Sequence, residues 1–576
     1  MSIFVAAAFF LSASAAAQEP EDPSDRVLVD KVGPPVTVHG VVLNAATGEP
    51  LAHALVSAEA DPVLGALTNG QGRFEMANVP SGMMTFSIRK PGFRDPAAGG
   101  SNESQRQARL AAQTPDMIFS LRPVGTLDGQ VQLSTGDPGA SFSVKLLRQA
   151  TRYGRIEWEF EKVAHTDDQG FYHFSDLEPG IYTLHSEARL ENKPISPVID
   201  PASVRGIHRD GYPCVYYPNA RTVASAGQIH VGPGEHAHGD LDLSLEPFYP
   251  VTFAVRGPDG QAFQPDMTSD LARRDGPIPV ELLDADNRLS GYDAHYDRET
   301  GTVQAELPNG MYTLRAFVDE KTAGKAAMGD SRAGYLMGLV PFTLAGHALR
   351  NLPLALFPPA GNLLHVHPPV DSRTSGESPA GNFNGVSRVW LSPAGDPLLA
   401  RKDEMEARRD GDTFNLMYNP VSPQWLHIQV QAGFCAGTST GSGINPAREP
   451  IVNNPAGPNP PLDLQLRNDC AQLVLALPSS ATAEVPGLVP SYKVYVVPDF
   501  ETTETAVERE VSAPGGGKAE IGSLTPGRYH VYTFAEPVEL PYHDPDAMAQ
   551  MGLSGQIISL LPGDKAQLVL ELPTRP

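Results

Sequence analysis

The chain has 576 residues, of which 19% are charged and 41% hydrophobic, with 54 glycines, 55 prolines and a formal net charge of −24. This much glycine and proline favours turns and edge strands over long helices, and the length predicts several domains. The acidic balance argues against nucleic acid and anionic membrane surfaces as partners, because binding to either depends on clustered Lys and Arg. We interpret the acidity as a source of solubility outside the cell.

The first 17 residues predict a signal peptide. The segment MSIFVAAAFFLSASAAAQEP combines an apolar run with Ala15-x-Ala17 ahead of Gln18. The run is too short to span a bilayer, and no later stretch reaches the length of about 18 apolar residues that a membrane helix needs. We therefore expect an exported protein, periplasmic or extracellular, without membrane insertion, in which residues 18–33 form a linker.

A phrase with two glycines around a short alternating strand recurs along the chain. It is T-N-G-Q-G-R-F…V-P-S-G from Thr68 to Gly82, and it returns at residues 166–182, 300–312 and 517–529. Glycine tolerates positive φ and Pro-Gly or Asn-Gly presets a turn, so each copy predicts a β-hairpin. The repeat distance of roughly 100 residues is too long for a solenoid and predicts beads on a string.

Opening and closing strands flank these hairpins, as in Val36 to Leu43 and Leu568 to Leu572. The sequence therefore predicts an all-β fold, a tandem array of about five immunoglobulin-like or transthyretin-like β-sandwich domains. We place them at residues 34–122, 123–247, 248–357, 358–467 and 468–576, the fourth being divergent. Two segments show a helical period: Leu398 to Arg409, a short helix or a solvated loop, and Asp544 to Met551.

One family resemblance supports this fold. It lies in G-V-V-L-N-A-A-T-G-E-P-L-A-H-A-L-V from Gly40, T-N-G-Q-G-R-F from Thr68, and V-P-S-G followed by T-F-S-I-R-K-P-G-F ending at Phe93. The segment Val36 to Phe93 resembles the carboxypeptidase regulatory-like domain, a transthyretin-like sandwich related to Cna-B-type modules. The second and last units look similar. The resemblance implies a stalk, adhesin or carbohydrate-binding-like module of a bacterial secreted protein, and it implies no catalytic domain.

Three cysteines, Cys214, Cys435 and Cys470, are too widely spaced for a metal cluster, whereas export permits one disulfide. Cys435 and Cys470 flank a loop rich in Gly, Asn and Pro, residues 437–461, and we expect them to pair. In the chain-entropy model such a bridge stabilises by about 3 to 4 kcal/mol. Cys214 is then unpaired, and we expect it to be buried rather than reactive.

Gly437-Thr-Ser-Thr-Gly441 matches G-x-S-x-G, the turn that exposes a nucleophilic serine in α/β-hydrolases. No buried apolar strand leads directly into Ser439 and no helix follows it. We interpret the match as a chance occurrence in a flexible loop.

Two H-x-H pairs, His236 with His238 and His365 with His367, place both rings on one face if they lie on strands, which is how metal sites in sheets begin. Asp240 and Asp371 offer oxygens, but no further ligand can be assigned. We expect solvated edge histidines, with no metal and no cofactor.

The tryptophans differ in their predicted surroundings. Trp158 shares a face with Ile156 and Phe160 opposite three glutamates, which predicts a core position. Aligning residues 423–428 with residues 179–184 puts Leu426 in the core and leaves Trp425 and His427 on the outer face. An outward Trp is a platform for a sugar ring or for another domain, so Trp425 and His427 are the candidate ligand-binding residues.

Together these features predict an exported, non-catalytic protein with a structural or binding role at the cell envelope. A polysaccharide or an envelope protein is the expected partner, and carbohydrate recognition is the more specific form of that role. The alternative is a hydrolase or metal-dependent enzyme that uses the 437–441 loop or an H-x-H pair. The ligand and the oligomeric state stay open.

Overall fold

A computed structural model describes residues 33–572 except 61, 97–105, 113, 192–207, 266–277, 320, 321, 323–334, 360, 361, 370–384, 397, 399–403, 417–421, 442, 443, 453, 455–458, 480–490 and 513–516. The predicted signal peptide and nearly all of the predicted linker lie outside these residues. The described chain is built almost wholly of strands that enclose five successive hydrophobic clusters. The predicted all-β tandem array is confirmed, and we number its sandwiches one to five, whereas the exact domain borders stay a prediction.

The strands follow in chain order. Sandwich one comprises β1 Gly33–Asn44, β2 Leu55–Ala58, β3 Leu64–Leu67, β4 Arg73–Arg89, β5 Phe93–Arg94, β6 Arg106–Leu110 and β7 Met117–Pro123. Sandwich two comprises β8 Gly125–Leu133, β9 Ser143–Arg152, β10 Arg155–His165, β11 Phe171–Leu177, β12 Gly180–Ser186, β13 Arg189–Leu190, β14 Arg209–Tyr212, β15 Val215–Tyr216, the 3-10 turn Val223–Ser225, β16 Ile229–Val231, β17 His236–His238 and β18 Leu241–Leu243.

Sandwich three comprises β19 Glu246–Arg256, β20 Val280–Leu283, β21 Ala294–Asp297, β22 Thr302–Leu307, β23 Gly310–Asp319, β24 Tyr335–Leu344 and β25 Leu349–Phe357. Sandwich four comprises β26 Asn362–His367, β27 Val386–Pro393, β28 Met405–Glu406, β29 Arg408–Asp410, β30 Thr413–Leu416, β31 Gln424–Val430, β32 Cys435–Gly441 and β33 Leu462–Arg467. Sandwich five comprises β34 Ala471–Ala476, β35 Ser491–Pro498, β36 Val507–Ser512, β37 Lys518–Leu524, β38 Gly527–Phe534, helix α1 Pro545–Gln550, β39 Gln556–Leu560 and β40 Lys565–Val569.

One pairing rule recurs in every sandwich. The opening strand pairs in antiparallel fashion with the first strand of the repeated hairpin, as β1 does with β4 and β34 with β37. The same opening strand pairs in parallel with a closing strand, as β1 does with β7, β19 with β25 and β34 with β40. Sandwich four obeys the rule through β26, β30 and β33, although its sequence is divergent. The repeat is therefore a repeat of topology as well as of sequence.

Two residues of the repeated hairpin sequence, the glycine of its first turn and the tyrosine of its second strand, are explained by the structure. Gly72, Gly170, Gly301 and Gly517 all have φ between 67° and 81°, the left-handed region that favours glycine. Further along the hairpin, a tyrosine hydroxyl donates to the carbonyl four residues earlier, and this tie fixes the turn. The pairs are Tyr182 with Glu178, Tyr312 with Pro308, and Tyr529 with Thr525.

The short helical candidates have different outcomes. Asp544 caps helix α1 by accepting a hydrogen bond from the Ala547 amide at 2.9 Å, which confirms a helix within the segment from Asp544 to Met551. The described part of the segment from Leu398 to Arg409 instead contains β28 and the start of β29. The expectation of a helix or a solvated loop is wrong there, because β28 and β29 complete sheet edges beside β27 and β30.

Trp158 lies outside the main core of sandwich two, contrary to the expectation from strand alternation. Its strand β10 is the edge of the sheet β10-β9-β12-β15, and Phe160 on the same face is 48% exposed. Trp158 packs instead on a small side cluster that contains Tyr216 and Val223. Alternation along an edge strand therefore marks two faces without saying which of them is buried.

Candidate functional site

The face of sandwich four that carries Trp425 is covered by the β9–β10 hairpin of sandwich two. The Arg155 guanidinium lies 3.5 Å from the centroid of the Trp425 ring, a close cation–π contact. The Trp425 indole N–H donates to the Glu157 carboxylate at 3.3 Å, and Arg155 donates to the Ala447 carbonyl at 2.9 Å. The ring thus packs against another sandwich, one of the two roles expected for an outward tryptophan.

His427 is 5% exposed, so the expectation that it lies on an open outer face is wrong. Its Nε2 is 2.8 Å from the Ser392 hydroxyl, and its ring centroid is 4.1 Å from that of Tyr153. Burial, together with the nearby Arg152 and Arg155 charges, lowers the pKa of His427 to about 3, so the ring is neutral at physiological pH. The ligand-binding role of Trp425 and His427 stays a prediction.

Residues 152–155, at the tip of the hairpin, are named the clasp here because they hold three sandwiches together. Arg152 and the Tyr153 hydroxyl both donate to the Glu404 carboxylate, at 2.5 and 2.8 Å. The Gly154 carbonyl accepts a hydrogen bond from the His543 amide of sandwich five at 2.8 Å. The clasp therefore lies between sandwiches four and five. Nothing in the sequence of residues 152–155 indicates these contacts.

Gly154 is the position where the clasp comes closest to sandwich five. A Cβ placed there would lie 2.4 Å from the Tyr542 ring, and Gly154 has φ of 76°. The Tyr542 ring is held in place, because its hydroxyl accepts a hydrogen bond from the Ala506 amide at 3.2 Å and the ring packs on a hydrophobic cluster around Tyr495. Only glycine fits this contact without displacing a neighbour.

The predicted disulfide is present between Cys435 and Cys470, with an S–S distance of 2.21 Å and a Cα–Cα distance of 5.8 Å. It joins the start of β32 to the residue before β34, and so links sandwiches four and five covalently. Cys214 is free and buried, as expected. Burial raises the pKa of the Cys214 thiol to about 12, which keeps it protonated.

Beside the disulfide, Glu504 of sandwich five contacts the backbone of sandwich four. One carboxylate oxygen accepts the Ala436 amide at 3.1 Å, and the Thr525 hydroxyl lies 3.1 Å from the other oxygen. Thr525 also donates to the Ala436 carbonyl at 2.7 Å, and a hydroxyl has one hydrogen to donate. A protonated Glu504 completes this network by donating to Thr525, and burial correspondingly raises the pKa of Glu504 to about 7.

Ser439 lies inside β32, where it is the register partner of Leu464, so the prediction of a flexible loop at residues 437–441 is wrong. A strand forms there because β33 supplies a pairing edge. The Ser439 hydroxyl oxygen is buried and has no hydrogen-bond partner in the described part of the chain. The serine therefore has no base beside it, as nucleophilic catalysis would require.

The first H-x-H pair lies on β17, with both rings on the outer face of the sheet. His236 and His238 each contact the Asp128 carboxylate at 2.9 Å, and His238 also lies 3.1 Å from Asp240. The hydrogen bond that the His238 ring donates to the Asp128 carboxylate raises the pKa of His238 and lowers the pKa of Asp128. Both rings are largely exposed, as expected for edge histidines.

The second pair lies on β26. His367 contacts Asp463 at 2.7 Å and His365 contacts the Thr413 hydroxyl at 3.2 Å, whereas Asp371 lies outside the described residues. Within the described ranges, no three His, Cys, Asp or Glu side chains are arranged to hold a metal ion. Nor does this part of the chain contain a helix long and apolar enough to cross a membrane.

A cleft of about 1130 Å³ lies next to the clasp, between four of the sandwiches. Arg94 and Arg122 of sandwich one, strands β9 and β10 of sandwich two, Asp396 of sandwich four and Tyr495 of sandwich five contribute to its walls. Its lining contains nine acidic and five basic side chains. Sequence analysis missed this cleft, because its walls come from segments up to several hundred residues apart.

Residues 37–113 match the family model for the carboxypeptidase regulatory-like domain. This segment is similar to that domain. It corresponds to sandwich one, and the expected likeness of the second and last units to the same family stays a prediction. No curated protein sequence matches the chain.

Several solved structures of bacterial proteins are distantly similar to the chain. A TIE protein of Bacillus anthracis is 12% identical over 56% of this chain and 51% of its own length, with a TM-score of 0.16. A minor pilin of Streptococcus agalactiae is 15% identical over 37% of this chain and 96% of its own, with a TM-score of 0.19. Two B repeat units of the Staphylococcus aureus collagen-binding protein are 11% identical over 71% and 92%, with a TM-score of 0.12. TM-scores this low carry no argument about function.

Proposed function

We propose that this protein is an exported, non-catalytic scaffold of the cell envelope or its surroundings, which binds a partner through the faces between its sandwiches. The regulatory-like domain and the export signal predicted at residues 1–17 support this proposal. The observation that carries it is the clasp. By joining sandwiches two, four and five, it holds the walls of the inter-sandwich cleft at fixed positions, as a pre-organised binding surface requires.

Binding by the whole protein is tested by incubating residues 18–576 with purified envelope fractions and with a panel of insoluble polysaccharides. We expect retention on at least one envelope fraction. A protein that is retained nowhere would contradict a binding role.

The carbohydrate form of the proposal is tested with Trp425→Ala beside Arg155→Ala. Stacking of a sugar on Trp425 requires that Arg155 leave the ring, because the guanidinium now covers it at 3.5 Å. If Trp425 is the platform, Arg155→Ala binds polysaccharide more strongly than the wild type and Trp425→Ala binds it less. Equal retention of all three proteins would show that any polysaccharide binding lies elsewhere.

No specific observation favours the enzyme alternative. Ser439 lies within a paired strand without a base, and the H-x-H pairs contact carboxylates or a hydroxyl. Hydrolase activity that is abolished by Ser439→Ala would nevertheless overturn the non-catalytic proposal.

A further inference from the structure

Strand β10 has an open edge. It runs for 11 residues and pairs on one side only, with β9. No other described strand joins its second side, so that its outward backbone N–H and C=O groups have no strand partner in this part of the chain. Proteins usually shorten or cover such edges, because an open edge is a template for a further strand.

This open edge borders the inter-sandwich cleft. Five consecutive residues, 157–161, line the cleft. Because side chains alternate between the two faces of a strand, residues of both faces can line one cavity only when that cavity also reaches around the strand edge. The backbone of β10 is therefore within reach of a ligand in the cleft.

The charge around the edge is predominantly negative. The basic side chains of the walls already have acidic partners, as in the pairs Arg94 with Glu178 and Arg148 with Glu539. Glu161 of β10 and Glu508 of sandwich five are exposed at the same cleft. The excess of acidic side chains favours a cationic ligand.

The apolar side chains of β10 favour a peptide over a sugar. Trp158, the largest ring at the cleft, is engaged with the side cluster of its own sandwich and offers no free stacking platform. Phe160 and Ile156 are 48% and 37% exposed, and both are well suited to contact the side chains of an adjacent strand. Such contacts, together with backbone pairing, are the basis of recognition by strand addition.

We propose that the free edge of β10 binds an extended, Lys- or Arg-rich peptide segment of a partner protein, which joins the sheet as an additional strand. Its backbone pairs with β10, its basic side chains face the glutamates of β10, and its β-branched side chains pack beside Phe160. This inference rests on the proposed binding function and names the class of partner.

The experiment measures binding of a fluorescently labelled, terminally blocked decapeptide of alternating Lys and Thr to the mature chain by anisotropy. A second peptide of the same sequence is N-methylated at every other residue, so that it keeps its charge but cannot pair with an edge. A third peptide has Glu in place of Lys. We expect the first peptide to bind at least about tenfold more tightly than either of the others, because backbone pairing and opposite charge are both required.

Variants of the chain locate the site. Glu161→Gln and the double variant Glu159→Gln/Glu161→Gln should weaken binding of the Lys peptide progressively, whereas Glu75→Gln, an exposed glutamate on β4, should leave it unchanged. Circular dichroism checks that each variant is folded. The single variant keeps the test valid if the double variant is unstable.

Three results would overturn the inference: no binding of the Lys peptide, equal binding of the N-methylated peptide, or equal loss in Glu75→Gln. If the chain is retained on envelope fractions or polysaccharides but does not bind the Lys peptide, the proposed function stands and this inference fails. If it binds neither, both fail.

Discussion

Sandwich two is joined far more loosely to sandwich one, which precedes it, than to the distant sandwiches four and five. Sandwich three, which follows it, is joined to it by antiparallel pairing of β14 with β19. At the joint with sandwich one, the described residues form the Arg94–Glu178 ion pair at 2.6 Å and a backbone hydrogen bond from Val124 to Gly92 at 3.1 Å. At the clasp, a cation–π contact, a shared carboxylate and a buried glycine join three sandwiches. Adjacency in sequence therefore does not make the joint with sandwich one as firm as the clasp.

The difference follows from the length of one hairpin. Strands β9 and β10 span residues 143–165, and their tip extends past the sandwich to which they belong. Near its joint, the described part of sandwich one has instead the two-residue strand β5. At the clasp, firm contact between modules thus comes from an extension of one module.

The largest expected effect is on the distant joint. Replacing both cysteines, Cys435→Ser/Cys470→Ser, should destabilise sandwiches four and five by about 3 to 4 kcal/mol, because the crosslink no longer limits the unfolded chain. Calorimetry of the thermal transitions measures it. Cys214→Ala, which removes a free thiol and keeps the bridge, is the matched control. Equal losses in both proteins would contradict the prediction.

Gly154→Ala tests the clasp itself. We expect a loss of about 2 kcal/mol and release of the hairpin from sandwich five, since the new Cβ overlaps the Tyr542 ring. Gly92→Ala is the matched control: Gly92 has φ of 77°, and its added Cβ meets nothing within 4 Å. The free energy of unfolding that Gly154→Ala loses beyond the loss in Gly92→Ala measures the contact with the Tyr542 ring. Limited proteolysis at the hairpin shows whether the hairpin is released from sandwich five. If the two variants behave alike, backbone strain alone explains the loss.

Glu504→Gln should change the pH dependence of stability. The pKa of Glu504 is raised from 4.5 to about 7 in the folded protein, so between these values the unfolded chain loses its proton while the folded chain keeps it. The wild type therefore loses stability from this group as pH rises through that window, by up to about 1.4 kcal/mol for each pH unit. Gln keeps the network without titrating. The difference between the thermal midpoints of Glu504→Gln and the wild type should therefore increase as pH rises from 4.5 to about 7. A difference that is independent of pH would contradict the raised pKa of Glu504.

The smallest effect is expected at the joint of sandwiches one and two. Arg94→Ala removes a partly exposed ion pair and should cost about 0.5 kcal/mol or less, with a further decrease at high salt. Denaturant unfolding measures this loss. A loss of unfolding free energy as large as that in Gly154→Ala would show that the two joints are equally firm and would contradict the comparison.

The interiors of the sandwiches were predictable because their determinants are local. The glycines that need positive φ, the alternating strands and the Cys435–Cys470 pair can all be found by spacing along the sequence. Even the divergent fourth copy has Leu426 in the core, as alignment with the second copy predicted.

The surfaces between sandwiches were not predictable in the same way. Alternation placed Trp425 on an outer face, but nothing local indicates that Arg155 of another sandwich covers it. Similarly, the pattern of β10 separates glutamates from apolar residues, whereas their burial depends on which sandwich lies opposite. The cleft and the clasp depend on the docking of whole modules. A repeat in sequence indicates the fold of each module but not how the modules dock.

The clasp also has a consequence for how the chain is made. The Thr151 amide, beside the clasp, donates a hydrogen bond to the carboxylate of Glu539, which lies 388 residues further along the chain. During synthesis, the hairpin of sandwich two therefore emerges long before the residues of sandwich five that contact its tip, and contacts this distant in sequence form slowly. The part of the hairpin that contacts sandwich five must remain uncovered until that sandwich has been made, so that docking of sandwich five, and not the folding of sandwich two, completes the clasp.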